Sequence, residues 1–113
     1  MIAPATIKNV QSAIQTSKVF IASKTYCPFC TRAKRTIFEE KKVPKELVFC
    51  WELDTMGKEG EDIQASLLEI TGQSSVPNIF INGNHIGGNS DLQALKESGE
   101  LDTLLQEILE GST

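Results

Sequence analysis

The sequence predicts an α/β domain whose elements follow the order α-βαβ-α-ββ-α-α. Segments with apolar residues at helical spacing alternate with short apolar runs rich in strand formers. The first half contains a strand, a helix and a second strand in series, which favours parallel strands joined by a right-handed crossover. The second half contains an Asn-Gly dipeptide between two strand-like runs, which is the strongest short-range signal of an antiparallel hairpin.

The first two elements are a helix and a strand. Ile7, Val10 and Ile14 recur at helical spacing, and Pro4 upstream is tolerated at the start of a helix. Residues 19–22 form a short apolar run of strand formers, which is followed by a polar stretch. We therefore expect a first helix, then a buried strand, then a loop.

A second helix and a second strand complete the βαβ unit. Pro28 suits the first helical position, and Pro44 marks a stop just beyond Lys41 and Lys42. Residues 47–53 form the next run of strand formers, which we interpret as a second buried strand.

The hairpin of the second half is centred on Asn82 and Gly83. This dipeptide favours a type I′ turn between strands at 79–81 and 84–86, and a pair of glycines ends the second strand.

One predicted helix precedes the hairpin in the sequence and two follow it. Gly72 and Gly99 mark helix ends, because glycine adopts the left-handed conformation that terminates a helix. The apolar positions at helical spacing are Ile63, Leu67, Ile70, Leu92, Leu95, Leu101, Leu104, Leu105, Ile108 and Leu109.

Length and composition suit one compact domain over residues 1–113, with 40% hydrophobic and 23% charged residues. The net charge of −4 argues against a surface that holds nucleic acid or anionic lipid by charge. The apolar runs are too short to span a bilayer. We therefore expect a soluble protein with no nucleic-acid partner and no membrane partner.

The cysteine content points to a reducing compartment. Three cysteines are an odd number and too few for a disulfide-stapled secreted scaffold. The first four residues lack the basic region and apolar stretch of a signal peptide. We expect a cytoplasmic protein, with a mitochondrial isoform left open, in which cysteine serves chemistry more than scaffolding.

Positive charge is concentrated in one segment. Five cations and no acid lie between positions 18 and 38, so the rest of the chain has six cations against 15 acids. The five cations are Lys18, Lys24, Arg32, Lys34 and Arg35. Two of the three cysteines, Cys27 and Cys30, lie in this segment.

The motif Cys27-Pro28-Phe29-Cys30 predicts a redox-active dithiol pair. Cys27 would lie at the start of the second helix, where unpaired N–H groups and the helix dipole stabilise a thiolate. Lys24 and the basic residues of the helix would lower the pKa of the Cys27 thiol further. Cys27 is therefore the candidate nucleophile, and Cys30 is the resolving thiol that displaces a mixed disulfide.

The alternative interpretation of the motif is half of a zinc site. Structural zinc needs four ligands, and the other candidates are Cys50 and His85, with no second pair at ligand spacing. We expect Cys50 to be a small core residue of its strand and His85 to face solvent beside the hairpin turn. No metal is therefore expected.

The ordered set of motifs resembles that of the dithiol glutaredoxins. The resemblance extends from about residue 19 to the end of the chain. The motifs are Lys24-Thr25-Tyr26-Cys27-Pro28-Phe29-Cys30, Gln64, Ser75-Val76-Pro77 and Gly87-Gly88-Asn89-Ser90-Asp91. The resemblance implies a thioredoxin-like fold, with a four-stranded mixed sheet flanked by helices on both faces. It also implies a cis peptide bond before Pro77.

The resemblance further implies glutathione as co-substrate. Lys24 and Gln64 would hold its glycine carboxylate, and the Val76 backbone would pair with the tripeptide like an added strand. The helix start at Ser90 and Asp91 would hold the γ-glutamyl zwitterion. The full set of implied glutathione-binding residues is Lys24, Tyr26, Phe29, Gln64, Val76, Pro77, Ser90 and Asp91.

Two positions depart from the family pattern. Phe29 stands where many dithiol members have Tyr, so an aromatic wall remains but a hydroxyl is lost. Ser75 stands where Thr is frequent, which is a mild change because Val76 would act through its backbone.

The function implied by the resemblance is a glutathione-dependent oxidoreductase. The Cys27 thiolate would reduce protein–glutathione mixed disulfides, and Cys30 would be needed only for dithiol reduction of protein disulfides. The expected partners are glutathionylated or disulfide-containing proteins and, indirectly, glutathione reductase. We expect a monomer.

Two other functions stay open. The first is a glutathione-ligated iron–sulfur cluster that bridges two chains through Cys27, since soft thiolates suit such a cluster. In the family, Pro at position 28 goes with redox members, which argues mildly against it. The second is a thioredoxin, which is weakened because the chain lacks a Trp-Cys-Gly-Pro-Cys motif.

Overall fold

The computed structural model describes residues 2–111, so Met1, Ser112 and Thr113 of the expected domain lie outside it. The helices and strands are α1 Pro4–Thr16, β1 Val19–Ser23, α2 Pro28–Arg35, β2 Val48–Glu52, α3 Gly57–Thr71, β3 Asn78–Ile81, β4 Asn84–Gly87, α4 Asn89–Ser98 and α5 Glu100–Gly111. The expected order of elements is confirmed.

The four strands form one mixed sheet in the order β2-β1-β3-β4. Strands β1 and β2 are parallel, with Val19 opposite Val48. Strand β3 runs antiparallel to both β1 and β4. The βαβ unit and the hairpin therefore meet side by side, with β1 and β3 at the centre.

The hairpin turn has the predicted geometry. Asn82 and Gly83 both have positive φ, 51° and 81°, as the type I′ turn requires. This turn lies at one end of the sheet, and it directs β4 back along β3.

The two faces of the sheet bury separate cores, because successive side chains of a strand point to opposite faces. On one face, Val19 and Ile21 pack with Ala33 of α2 and with apolar residues of α4 and α5. On the other face, Phe20 and Ala22 pack with residues of α1 and α3. Helices therefore cover both faces of the sheet.

The prediction of a buried second strand was wrong in two respects. Strand β2 spans Val48–Glu52 and is shorter than predicted, because 3₁₀ turns at Lys45–Leu47 and Leu53–Thr55 flank it. It is also an edge strand with one neighbour, so Phe49 is exposed and Cys50 is half-buried. Residue composition does not distinguish an edge position from a central one.

The second helix also differs from the prediction. The α-helix ends at Arg35, and a π-helical turn follows over Thr36–Glu40. The Lys41 N–H donates to the Thr36 carbonyl at 2.9 Å, while the buried Thr36 hydroxyl donates to the Arg32 carbonyl at 3.1 Å. Such back-bonding by threonine competes with regular helical bonding and distorts a helix.

The helices of the structure are short. None of those formed by residues 2–111 is both long enough and apolar enough to cross a membrane.

Candidate active site

Cys27 lies where the central strand β1 leads into α2. It is the N-cap residue, and its sulfur accepts a hydrogen bond from the Cys30 N–H at 3.4 Å. Pro28 occupies the first helical position, as the sequence predicts. The Cys27 thiol is therefore held at the positive end of the helix, where a thiolate is favoured.

The pKa of the Cys27 thiol lies below its ordinary value. Desolvation raises the pKa, but hydrogen bonds from the Cys30 thiol, the Cys30 N–H and the Phe29 N–H, together with the charge of Lys34, outweigh it. Lys34 is held in place by an ion pair with Glu52 on β2, at 2.6 Å. Cys27 is thus the cysteine of the motif that favours the thiolate.

The other two cysteines have the opposite behaviour. Cys30 is fully buried, and burial raises the pKa of its thiol to about 11. Burial likewise raises the pKa of Cys50 to about 11, with the nearby Glu52 carboxylate acting in the same direction. Cys50 is half-buried and packs against the core below α2, so a packing role fits it. Both thiols are protonated at neutral pH.

A groove of about 340 Å³ lies beside the nucleophile. It is lined by Phe29, residues 75–77 and residues 88–90. Three of the separated sequence motifs therefore meet at one surface. The Cys27 sulfur lies 3.9 Å from the Val76 carbonyl oxygen, and the Val76–Pro77 peptide bond is cis, as the resemblance implies.

Lys24, Tyr26, Gln64 and Asp91 are not among the residues that line this groove. Lys24 is half-buried in the loop before Cys27, and Tyr26 is 71% exposed. The Gln64 side-chain amide donates to the Ser74 carbonyl at 2.6 Å, so it already supports the segment that leads into the groove.

The start of α4 differs in detail from the expected arrangement. Its N-cap is Gly88, and Ser90 and Asp91 are the second and third helical residues. The Asp91 carboxylate accepts the Gly88 N–H at 2.9 Å, so one of its oxygens already has a partner. Gly87 has a positive φ of 114°, and a Cβ there would overlap the Asp91 carboxylate. This glycine is needed for both reasons.

Two residues that support the site were missed by the sequence interpretation. The Gln73 amide donates to the carbonyls of Ser75 at 3.1 Å and Pro77 at 3.0 Å, which fixes the groove wall. Asp54 accepts hydrogen bonds from the Thr25 N–H and hydroxyl, which hold the loop before Cys27 and lower the pKa of the carboxyl. The only signal in the sequence was the place of Thr25 in the cysteine motif.

The four candidate zinc ligands of the sequence, which are Cys27, Cys30, Cys50 and His85, do not lie together in the structure. Cys50 lies on β2 and His85 on β4, which are opposite edges of the sheet. His85 is exposed, as expected, and pairs with the Asn78 side-chain oxygen at 2.8 Å. In the part of the chain that the structure describes, no three His, Cys, Asp or Glu residues are grouped to hold a metal ion.

Comparison with known proteins gives consistent results. The model of the Glutaredoxin family matches residues 19–86. Glutaredoxin-1 of Saccharomyces cerevisiae is 56% identical over 109 residues, which cover 96% of this chain and 98% of that protein.

Two solved structures are similar over nearly the whole chain. Oxidized glutaredoxin 2 from Chlamydomonas reinhardtii has a TM-score of 0.82 and 37% identity, covering 95% of this chain and 96% of that chain. A buckwheat glutaredoxin–glutathione complex has a TM-score of 0.82 and 35% identity, covering 91% and 89%. The fold is therefore thioredoxin-like, and the chain belongs to the glutaredoxin family of glutathione-dependent oxidoreductases.

Proposed function

We propose that this protein reduces protein–glutathione mixed disulfides, and small or protein disulfides, with glutathione as co-substrate. The observation that carries the proposal is the position of Cys27. The pKa of its thiol is lowered, and it lies at a groove whose wall offers a backbone carbonyl 3.9 Å from the sulfur. A peptide-like thiol compound fits such a wall by strand-like pairing.

The reaction takes place in two exchanges. The Cys27 thiolate attacks the glutathione sulfur of a mixed disulfide, so a Cys27–glutathione disulfide forms and the protein thiolate leaves and takes up a proton. A second glutathione thiolate then attacks the glutathione sulfur of that disulfide. Oxidised glutathione leaves, and the Cys27 thiolate is regenerated.

Glutathione would be held at three places. Lys24 and Gln64 face its glycine carboxylate, Val76 pairs with its backbone, and the α4 start at Ser90 and Asp91 holds the γ-glutamyl group. Phe29 and Pro77 line the groove and would form its apolar walls, and Tyr26, which lies outside the groove, would contact glutathione at its edge. The similarity to a buckwheat glutaredoxin–glutathione complex supports this assignment.

Cys30 acts only when the substrate is a protein disulfide. Attack by Cys27 breaks the protein disulfide and leaves the substrate bound through one sulfur. Cys30 then loses its proton and attacks the Cys27 sulfur, so a Cys27–Cys30 disulfide forms and the reduced protein leaves. Two glutathione molecules reduce that disulfide through a Cys27–glutathione disulfide and leave as oxidised glutathione. The raised pKa of the buried Cys30 thiol supports Cys27 as the thiol that attacks first, because Cys30 stays protonated while the Cys27 thiolate reacts.

The proposed setting is a reducing compartment such as the cytoplasm, where the protein acts as a single-domain monomer over residues 1–113. Glutathione reductase would return oxidised glutathione to the reduced pool. The net charge of −4 supports the expectation that nucleic acid and anionic membranes are not partners.

The test uses glutathione-coupled reduction of a glutathionylated peptide and of a disulfide-bonded protein. We expect Cys27→Ser to reduce both activities to background. Cys30→Ser should retain the first and lose the second, and Cys50→Ser serves as the control that retains both. Equal loss in the Cys27 and Cys30 variants would contradict the mechanism, and a coloured dimer after anaerobic purification would favour the iron–sulfur alternative.

A further inference from the structure

A second groove lies along the outward face of α2. Its volume is about 620 Å³, which exceeds the 340 Å³ of the groove beside Val76. The residues that line it are Tyr26, Pro28, Thr31, Arg32, Arg35 and Glu40. Positions 28, 31, 32 and 35 have the spacing of one helical face. Since Tyr26 and Pro28 flank Cys27 in the chain, this groove begins next to the nucleophile.

The charge of this groove is positive. Arg32 is exposed; among residues 2–111 no acid lies within salt-bridge distance of it, and its charge acts on the Glu40 carboxylate from further away. Arg35 reaches Glu39 only at 3.5 Å, with both side chains more than half exposed, which makes a weak pair. Among the described residues that line the groove, Glu40 is the one acid; its carboxylate is paired with Lys96 at 2.8 Å, and the charge of Arg32 also acts on it.

The cationic side chains of α2 therefore point in two directions. Lys34 points toward β2 and is paired with Glu52, and it acts on the Cys27 thiol. Arg32 and Arg35 point outward and offer two guanidinium groups to a ligand. Guanidinium groups bind carboxylates through paired hydrogen bonds, and arginine and tyrosine are enriched where proteins recognise one another. The ring of Tyr26, which is 71% exposed, supplies the apolar part of such a surface.

From this arrangement we propose that the groove on α2 binds an acidic segment of the protein substrate, next to the cysteine that carries its disulfide. The inference rests on the proposed function, because a mixed disulfide has two halves. The glutathione half lies against Val76, so the protein half leaves Cys27 elsewhere. The α2 groove lies beside Cys27 and carries the charge that attracts an acidic chain.

The experiment measures kcat/KM for three glutathione mixed disulfides at low ionic strength. Two are peptides that differ only in having Glu or Gln around the glutathionylated cysteine, and the third is glutathionylated cysteine alone. For wild type we expect a preference for the acidic peptide that declines with added salt. Arg32→Glu should lower kcat/KM for that peptide roughly tenfold, mainly through KM. Arg35→Glu should act in the same direction, and Arg32→Gln should have a smaller effect.

Lys45→Glu is the matched control, because it makes the same change of charge. Lys45 is exposed and lies just before β2, whose first residue Val48 pairs with Val19, the first residue of β1. It therefore lies at the end of the sheet away from Cys27. We expect Lys45→Glu to leave all three substrates unchanged within about twofold.

The small substrate separates this inference from the proposed function. If wild type does not turn over glutathionylated cysteine, the proposed function fails and the docking inference fails with it. Three results would overturn only the docking inference, provided that wild type is active. Arg32→Glu could lower kcat/KM for all three substrates alike, it could lower kcat/KM for none of them, or Lys45→Glu could have the same effect. Selective loss of the acidic peptide supports it.

Discussion

Cys27 and Cys30 are three positions apart in the chain, yet the pKa values of their thiols shift in opposite directions. Cys27 caps the helix and accepts hydrogen bonds from N–H groups that have no other helical partner. Cys30 is one turn further in and is buried beneath the helix, where an ionised sulfur would lose its hydration. Position relative to the helix start therefore assigns the two roles.

This difference predicts selective alkylation of the reduced protein by iodoacetamide. Because the pKa of Cys27 is lowered, its thiolate persists to a lower pH than that of a free thiol, and Cys27 should be labelled first. Cys30 and Cys50, with pKa values raised to about 11, should be labelled only at strongly alkaline pH or after unfolding. Mass spectrometry of peptides labelled across a pH series measures this, and equal labelling of Cys27 and Cys30 at neutral pH would refute it.

The sequence was informative about residues whose role follows from the main chain. Pro28 predicted the helix start and so the capping position of Cys27. Gln73 and Asp54 gave no signal, because a side chain that bonds to the carbonyl or N–H groups of a distant loop follows no periodic pattern. The direction of Lys34 was also undetermined, since its partner Glu52 lies on another element.

At the scale of elements, α3 packs against the turn that supports the active-site loop. Gly60 of α3 is buried against the Leu53 backbone, and a Cβ at position 60 would overlap the Leu53 carbonyl oxygen. The same turn contains Asp54, which holds Thr25. Close approach of α3 to this turn therefore helps to hold the chain that leads into Cys27.

We expect Gly60→Ala to destabilise the protein by about 1–3 kcal/mol, because the turn must move to admit the methyl group. Urea unfolding measures the change, and Glu61→Ala, at an exposed position of the same helix, is the control. An unchanged unfolding midpoint would show that the turn does not resist displacement.

Element types were predictable from the sequence, whereas several element boundaries and the edge position of β2 were not. The prediction that residues 47–53 form a buried strand was wrong because β2 is an edge strand. Its edge position follows from the order of strands in the sheet, which the residues of one strand do not determine. The end of α2 failed because the Thr36 hydroxyl bonds within its own helix. The hairpin was predictable because Asn82 and Gly83 determine its turn locally.

At the scale of the whole molecule, the two cores share one sheet. Leu101 of α5 is fully buried in the core beneath α2, whereas Trp51 packs against the core on the opposite face. Trp51 contacts Phe20, whose ring centroid is 5.7 Å away. Unfolding of either core should therefore disrupt the sheet and with it the other core.

Because the two cores share one sheet, we expect Leu101→Ala to lower the free energy of unfolding, measured by Trp51 fluorescence, by about 2–5 kcal/mol. The same shift should be seen by far-ultraviolet circular dichroism, since a small domain usually unfolds in one transition. Glu100→Ala, at an exposed neighbour, is the control. A shift seen by circular dichroism but not by Trp51 fluorescence would mean that α5 unfolds separately.

Gly87 and Asp91 restrict how this sequence can change over evolutionary time. A side chain at position 87 would collide with the carboxylate that binds the Gly88 N–H at the start of α4. A smaller residue 91 would remove that collision and sacrifice the hydrogen bond, but it would not relieve the positive φ of 114° at position 87, which side chains other than glycine rarely adopt. We therefore expect glycine at position 87 to be retained wherever this turn is kept, and a change of residue 91 alone to weaken the start of α4.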